Sequence, residues 1–101
     1  MSLPQEHARH RLDEALLNPV RFSIVAALAS VDEAEFSAVR DTVEVSDSVL
    51  SKQAASLVGS RHVSMRKAFI GKRPRTWLKL TKPGRKAYER HLEALREIAG
   101  D

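Results

Sequence analysis

Apolar side chains recur at helical spacing from His10 to Leu17, where Leu12, Ala15, Leu16 and Leu17 fall on one face. The pattern stops at Asn18-Pro19, because the residue before a proline avoids the α region. Asn18 reads as an N-cap with Pro19 at the first helical position, and a second helix to about Ser30 buries Val20, Ile24, Val25 and Leu28. Val31 to Glu35 is acidic and breaks the period. Phe36 is expected to start a short strand or extended bridge, after which Ser37 caps a brief helix through Val43 with Val39 and Val43 inward. Ser46 caps the next helix, Asp47 to about Val58, whose core positions are Leu50, Ala54, Leu57 and Val58, and Gly59 supplies a left-handed end.

The period then changes. Val63 to Ile70 and Thr76 to Leu80 are rich in β-branched, aromatic and apolar residues, and Gly71-Lys72-Arg73-Pro74-Arg75 between them contains glycine and proline. A β-hairpin with a basic tip is expected, with Leu78 and Leu80 inward and Trp77 and Lys79 on the other side. Thr81 caps a last helix with Pro83 in its first turn, running to about Ala99 with an apolar stripe of Ala87, Tyr88, His91, Leu92, Leu95 and Ile98. No repeat, linker or low-complexity segment interrupts the chain. Residues 1–101 therefore read as one mainly α domain with a small hairpin (α+β), in the order α-α-β-α-α-β-β-α. Its parts are terminal helices over 10–17 and 82–99, a helix-turn-helix over 37–59 and a hairpin over 63–80.

Charge is segregated along this plan. From Arg61 to Arg90 the only acid is Glu89, and the segment carries +10, against −4 for residues 1–60 and −2 for 91–101. A long single-sign stretch makes a directional field that attracts a polyanion, and nucleic-acid phosphate leads the possibilities. At 101 residues the core is thin, so a dimer that hides more apolar area is favoured. Cysteine is absent, which excludes disulfides and thiolate metal sites. The longest apolar-rich stretch, Phe22 to Ala29, falls well short of the roughly 20 residues that span a bilayer. A soluble, cytoplasmic protein with no membrane partner is expected; Met1-Ser2-Leu3 reads equally as native or as an expression remnant.

Two short helices joined by Glu44-Val45, the second with a polar outer face, describe a helix-turn-helix, and the basic hairpin follows directly. Here the chain resembles the winged helix-turn-helix transcriptional regulators of the MarR/ArsR-like group over nearly its whole length. The resemblance is carried by Asn18-Pro19-Val20-Arg21, by Phe36, by Val45-Ser46-Asp47-Ser48-Val49-Leu50-Ser51, and most specifically by the run from Gly71 through Trp77 to Arg85. It implies a homodimer on double-stranded DNA with the helix beginning at Asp47 in the major groove. With Leu50, Ala54 and Leu57 inward, Ser48, Ser51, Lys52, Ala55 and Ser56 point away from the core, flanked by Val49 and Gln53. Lys52 can donate to guanine or phosphate, Gln53 can pair with adenine, and Val49 can touch a thymine methyl.

The hairpin, or wing, offers Lys72, Arg73 and Arg75 at its tip and Arg66, Lys67 and Lys79 on its strands, with Arg85 and Lys86 beyond it. Such a tip tracks phosphates or inserts an arginine into a narrow minor groove. Trp77 is expected to lie on aliphatic stems such as that of Lys79 and is not assigned to DNA. Leu12, Leu16, Tyr88, His91, Leu92, Leu95 and Ile98 are the expected dimer contacts, since the terminal helices carry more apolar surface than a small core absorbs. His7 and His10 are three apart, but without a cysteine or a His-Glu cluster they make no metal site, and no cofactor is expected. No phosphate loop, Gly-x-Ser-x-Gly or His-Glu-x-x-His occurs, so no enzyme is expected. The resulting expectation is a homodimeric DNA-binding regulator, a repressor on the ground of small size. The alternatives are a winged-helix module for RNA or a protein partner, and a histidine-based metal-responsive repressor. Any small-molecule effector stays open.

Overall fold

The side-chain oxygen of Asn18 accepts the N–H groups of Val20 at 2.9 Å and Arg21 at 3.0 Å, so helix α1 (Pro19–Ala29) starts where proline requires it to. In this computed structural model, which describes residues 6–100, three further helices follow: α2 (Phe36–Val43), α3 (Asp47–Gly59) and α4 (Lys82–Ala99). Strands β1 (Ala34–Glu35), β2 (Val63–Ile70) and β3 (Arg73–Leu80) form an antiparallel sheet in the order β1-β3-β2. Met1-Ser2-Leu3 lies outside the described residues. Ile24, Val25 and Leu28 of α1 meet Val39, Leu50, Ala54, Leu57, Val63, Leu78 and Leu80 in one core. Leu78 and Leu80 alternate inward as expected.

Several boundaries differ from the sequence expectation, each for a local reason. Residues 10–17 do not form an α-helix. They contribute to two 3-10 turns, Ala8–Arg11 and Glu14–Leu17, with Leu12 and Asp13 extended between them. Asp13 is pulled out of any helix by three bonds: its N–H donates to His91 Nδ1 at 3.0 Å, and its carboxylate accepts from Ala15 N–H at 2.9 Å and meets His62 Nε2 at 2.8 Å. The bridge to the sheet is Ala34–Glu35, paired with Leu78 and Trp77, and Phe36 already belongs to α2. Ser37 is therefore inside that helix and not its cap. Glu35 holds the cap position but caps nothing with its side chain, which instead pairs with Arg75.

At the end of α3 the left-handed residue is Arg61 (φ 65°), not Gly59, which is the last helical residue. His62 N–H bonds Leu57 carbonyl at 2.9 Å and Arg61 N–H bonds Val58 carbonyl at 3.0 Å, the paired bonds of a Schellman stop with Arg61 in the glycine position. The hairpin tip is also tighter than expected. Ile70 pairs with Arg73, so Arg73, Pro74 and Arg75 belong to β3 and the turn is only Gly71-Lys72, with Gly71 at φ 64°.

The stop at Arg61 delivers the His62 carbonyl to the start of α4. It accepts Thr81 N–H at 3.0 Å, while Thr81 Oγ1 caps Gly84 N–H at 2.9 Å. A Cβ on Gly84 would overlap the His62 carbonyl oxygen and lie 2.8 Å from its carbon. Gly84→Ala must therefore push α4 off β2, and a loss of about 3 kcal/mol is expected in urea unfolding. Arg61→Gly should instead raise stability by roughly 1 kcal/mol in the same assay, because a left-handed side-chain residue is relieved.

His91 is buried with its ring 5.4 Å from that of Phe22, and burial lowers its pKa from 6.5 against an opposing pull from the Asp13 carboxylate. The folded state thus favours neutral His91, while the unfolded chain takes up the proton near pH 6.5. Stability should be full above that pH and decline as pH falls below it, a slope that thermal melts should find reduced in His91→Gln.

Candidate nucleic-acid interface

Helix α3 buries Leu50, Ala54 and Leu57 completely, which turns the opposite side outward by the helical period. Ser48, Val49, Ser51, Lys52, Ala55 and Ser56 are all exposed. Ser46 Oγ accepts Val49 N–H at 3.2 Å and lies 3.2 Å from Ser48 Oγ, so the helix start is defined by serine hydroxyls. Gln53 is placed differently from the rest. It is half-buried, and its carbonyl oxygen accepts from Arg21 Nη1 at 3.0 Å, while Arg21 Nε donates to Ala15 carbonyl at 2.7 Å. The Gln53 carbonyl oxygen is thereby engaged by α1 and helps position α3 against it. Its arginine partner, 32 residues away, carried no sequence signal.

Ahead of α3, Glu44 is left-handed (φ 60°) and closes α2 on Arg40 carbonyl at 2.9 Å. Arg40 then bridges the two helices, donating to Asp47 Oδ1 at 2.8 Å and to Asp41 Oδ1 at 3.0 Å. Both carboxylates hold the guanidinium protonated even more firmly than usual, the hydrogen bond to Asp47 being the largest cause and the hydrogen bond to Asp41 the next. Arg40 was missed in the sequence because its segment is nearly neutral in sum.

The wing's cations divide into two sets. Arg66 pairs with Glu33 at 2.6 Å and Arg75 pairs with Glu35, so the acidic stretch before α2 neutralises two arginines of the hairpin. Glu35, Trp77 and Arg66 lie in one row across β1, β3 and β2. The Arg66 guanidinium stands 5.5 Å from the Trp77 ring, so an arginine packs against this tryptophan from the neighbouring strand. Lys67, Lys72, Arg73 and Lys79 are exposed and make no ion pair with any described residue. Arg85 donates to the Ala29 carbonyl at 3.1 Å, tying α4 to the end of α1. A groove of ≈ 770 Å³ separates α3 from the wing, with Ser37, Asp47 and Ser51 on one side and Met65, Lys67, Arg73 and Arg75 on the other.

The expected dimer residues do not share one environment. Leu16 is 2% exposed within the chain's own core and His91 is held by Asp13, so neither is available to a partner in this conformation. Leu12, Tyr88 and Leu92 are half-buried, with Tyr88 5.9 Å from the Phe22 ring. Leu95 and Ile98 are exposed beyond Ala94, the last buried residue of α4, and Leu17 is exposed nearby in sequence to the buried Leu16. An ion pair between Arg11 and Glu97 joins the first 3-10 turn to the same end of α4. Among the described residues no group of three or more His, Asp or Glu side chains could hold a metal, and no helix is long and apolar enough to cross a membrane.

Residues 20–99 match the family model described as winged helix DNA-binding domain. Among solved structures the chain is similar to a transcriptional regulator homologue protein from Pyrococcus horikoshii OT3, with 26% identity and a TM-score of 0.85 over 95% of this chain and 96% of that one. NadR, solved in complex with 4-hydroxyphenylacetate, is 25% identical with a TM-score of 0.72, over 92% of this chain but 65% of its own. YusO from Bacillus subtilis shares the fold at 18% identity and a TM-score of 0.78, over 93% of this chain and 66% of that one. No curated protein sequence matches.

The two neutralised arginines make a direct prediction. Glu33→Gln with Glu35→Gln should release both guanidinium groups and shift elution from a heparin column to higher salt, while Lys79→Gln should shift it lower.

Proposed function

The chain belongs to the winged helix DNA-binding domain family as a winged helix-turn-helix regulator of MarR type, and from that premise we propose that it binds double-stranded DNA sequence-specifically as a homodimer and represses transcription. One observation carries this reading: α3, whose outer face exposes serines, Val49 and Lys52, stands across a groove from a wing whose unpaired cations are Lys67, Lys72, Arg73 and Lys79. The helix face has the size and polarity to sit in a major groove, where Lys52 donates to guanine O6 or N7 and Val49 meets a thymine methyl. The wing cations neutralise phosphates of the flanking minor groove and supply affinity without sequence preference.

Dimerisation is supported by the exposed Leu95 and Ile98 on a helix turn that projects beyond the core, with Leu17 as a further exposed apolar side chain. A two-fold axis through these ends would present two copies of α3 to successive turns of one face of the duplex. Repression follows from a dimer so placed on a promoter, because it occupies the DNA that polymerase must enter. Selection of bound duplexes from a random pool tests the whole reading, with a palindromic motif as the expected result and no enrichment as the refuting one. Within the selected site, Lys72→Ala with Arg73→Ala should weaken binding to all sequences and lower the salt slope by about 1 per lost phosphate contact. Lys52→Ala should relax preference at one position by roughly 1–3 kcal/mol. Leu95→Glu should sediment as a monomer in ultracentrifugation.

A further inference from the structure

Phe69 and Ile70 are 74% and 59% exposed, the most exposed large apolar side chains among the described residues. They end β2 at the far tip of the wing, paired across the hairpin with Pro74 and Arg73 and followed by the Gly71-Lys72 turn. Neither belongs to the core cluster. Strand alternation puts them on opposite faces of the arm, Phe69 in line with Met65 and Lys67, Ile70 in line with Arg66. Two adjacent apolar residues on opposite faces of a narrow arm cannot both serve a fold, and apolar surface grouped at a tip and rimmed by charged residues marks an interaction site.

The surroundings select the occupant. Lys67, Lys72 and Arg73 are all exposed around this apolar tip, so the complementary surface has anionic walls and an apolar floor. A duplex minor groove has that construction, with phosphates along its rims and sugar edges and base steps at its base. We propose that Phe69 is a wedge that the wing presses into the minor groove of bound DNA, partly unstacking one base step. Lys72 and Arg73 seat on the rim phosphates, Pro74 stiffens the opposing strand, and Ile70 lies against the opposite groove wall. Pyrimidine–purine steps unstack at least cost, so the wedge adds preference for such a step at a position that α3 does not reach. The proposal rests on the DNA-binding reading and extends it to a residue with no hydrogen-bonding group.

The test uses the full chain and a selected duplex carrying 2-aminopurine at the step beneath the wing. With wild type, fluorescence should rise on binding. Phe69→Ala should abolish the rise and weaken affinity about tenfold at an unchanged salt slope, because no phosphate contact is lost. Phe69→Leu should fall between the two, and the high exposure of the site leaves folding intact in both variants. Duplex binding by Phe69→Ala within about twofold of wild type, with the fluorescence rise retained, overturns the wedge alone. Absence of duplex binding by wild type overturns the DNA-binding reading and the wedge together. Binding of wild type to phosphatidylserine vesicles that Phe69→Ala loses, with duplex affinity unchanged, would assign the tip to an anionic bilayer and also overturn the wedge.

Discussion

The backbone of Gly84 lies against the carbonyl of His62 so closely that no side chain fits between them, and three elements take their relative placement from that approach. Upstream, the contact is possible only because Arg61 accepts a left-handed conformation and turns the chain sharply out of α3. Downstream, Thr81 bonds the carbonyls of Arg61 and His62 with one hydroxyl and caps α4 with the same oxygen. The end of α3, the root of β2 and the first turn of α4 are thus joined through backbone groups and one short threonine hydroxyl, with no long side chain between them. A rigid joint here means that the outward face of α3 and the direction of the wing are set together, which two-point attachment to a duplex requires.

Polar side chains then lock the periphery onto this joint. Asp13 engages His62 and His91 at once, so the turns before α1 are held to the root of β2 and to the middle of α4. Arg21 holds Gln53 and the Ala15 carbonyl, fixing the back of α3. Arg40 spans α2 and the start of α3, and the pairs of Arg66 with Glu33 and Arg75 with Glu35 brace the wing on β1. These exposed pairs are individually worth little in stability. Their effect is directional, since each restricts the angle of an element that carries candidate contacts.

What was legible in the sequence follows the range of the interactions. The buried positions Ile24, Val25, Leu28, Leu50, Ala54 and Leu57, the Asn18, Ser46 and Thr81 caps, and the alternation of Leu78 and Leu80 depend on spacings of two to four residues and follow the local pattern. Val58, expected inward, is instead 38% exposed, because it lies one residue past Leu57 and so is rotated about 100° off the core line. The helix expected over 10–17 failed because Asp13 answers to His91, 78 residues away, and local periodicity cannot see that bond. Arg61 took the left-handed position that Gly59 was expected to hold because the needed turn is set by where His62 must arrive. The exposure of Ser48, Ser51, Lys52 and Ser56 on α3 was legible but the bond of Gln53 to Arg21 was not, and the wing's charge was legible as a total but not in its distribution. Arg66 lies 33 residues from Glu33 and Arg75 lies 40 from Glu35, separations at which composition gives no hint of pairing.

That redistribution has a kinetic meaning. With Arg66 and Arg75 compensated in the body of the strands, the unpaired wing cations are Lys72 and Arg73 at the tip, Lys67 midway and Lys79 toward the root, while acidic residues predominate over the first 60 positions. The molecule therefore carries a lopsided charge distribution. In the field of a polyanion such a body feels a torque as well as an attraction, and it rotates tip-first before any contact forms. Orientation normally limits how often a diffusing protein meets its target productively. Here the two glutamates near β1, by silencing arginines in the body of the strands, leave Lys72 and Arg73 at the tip as the outermost charges through which that alignment acts.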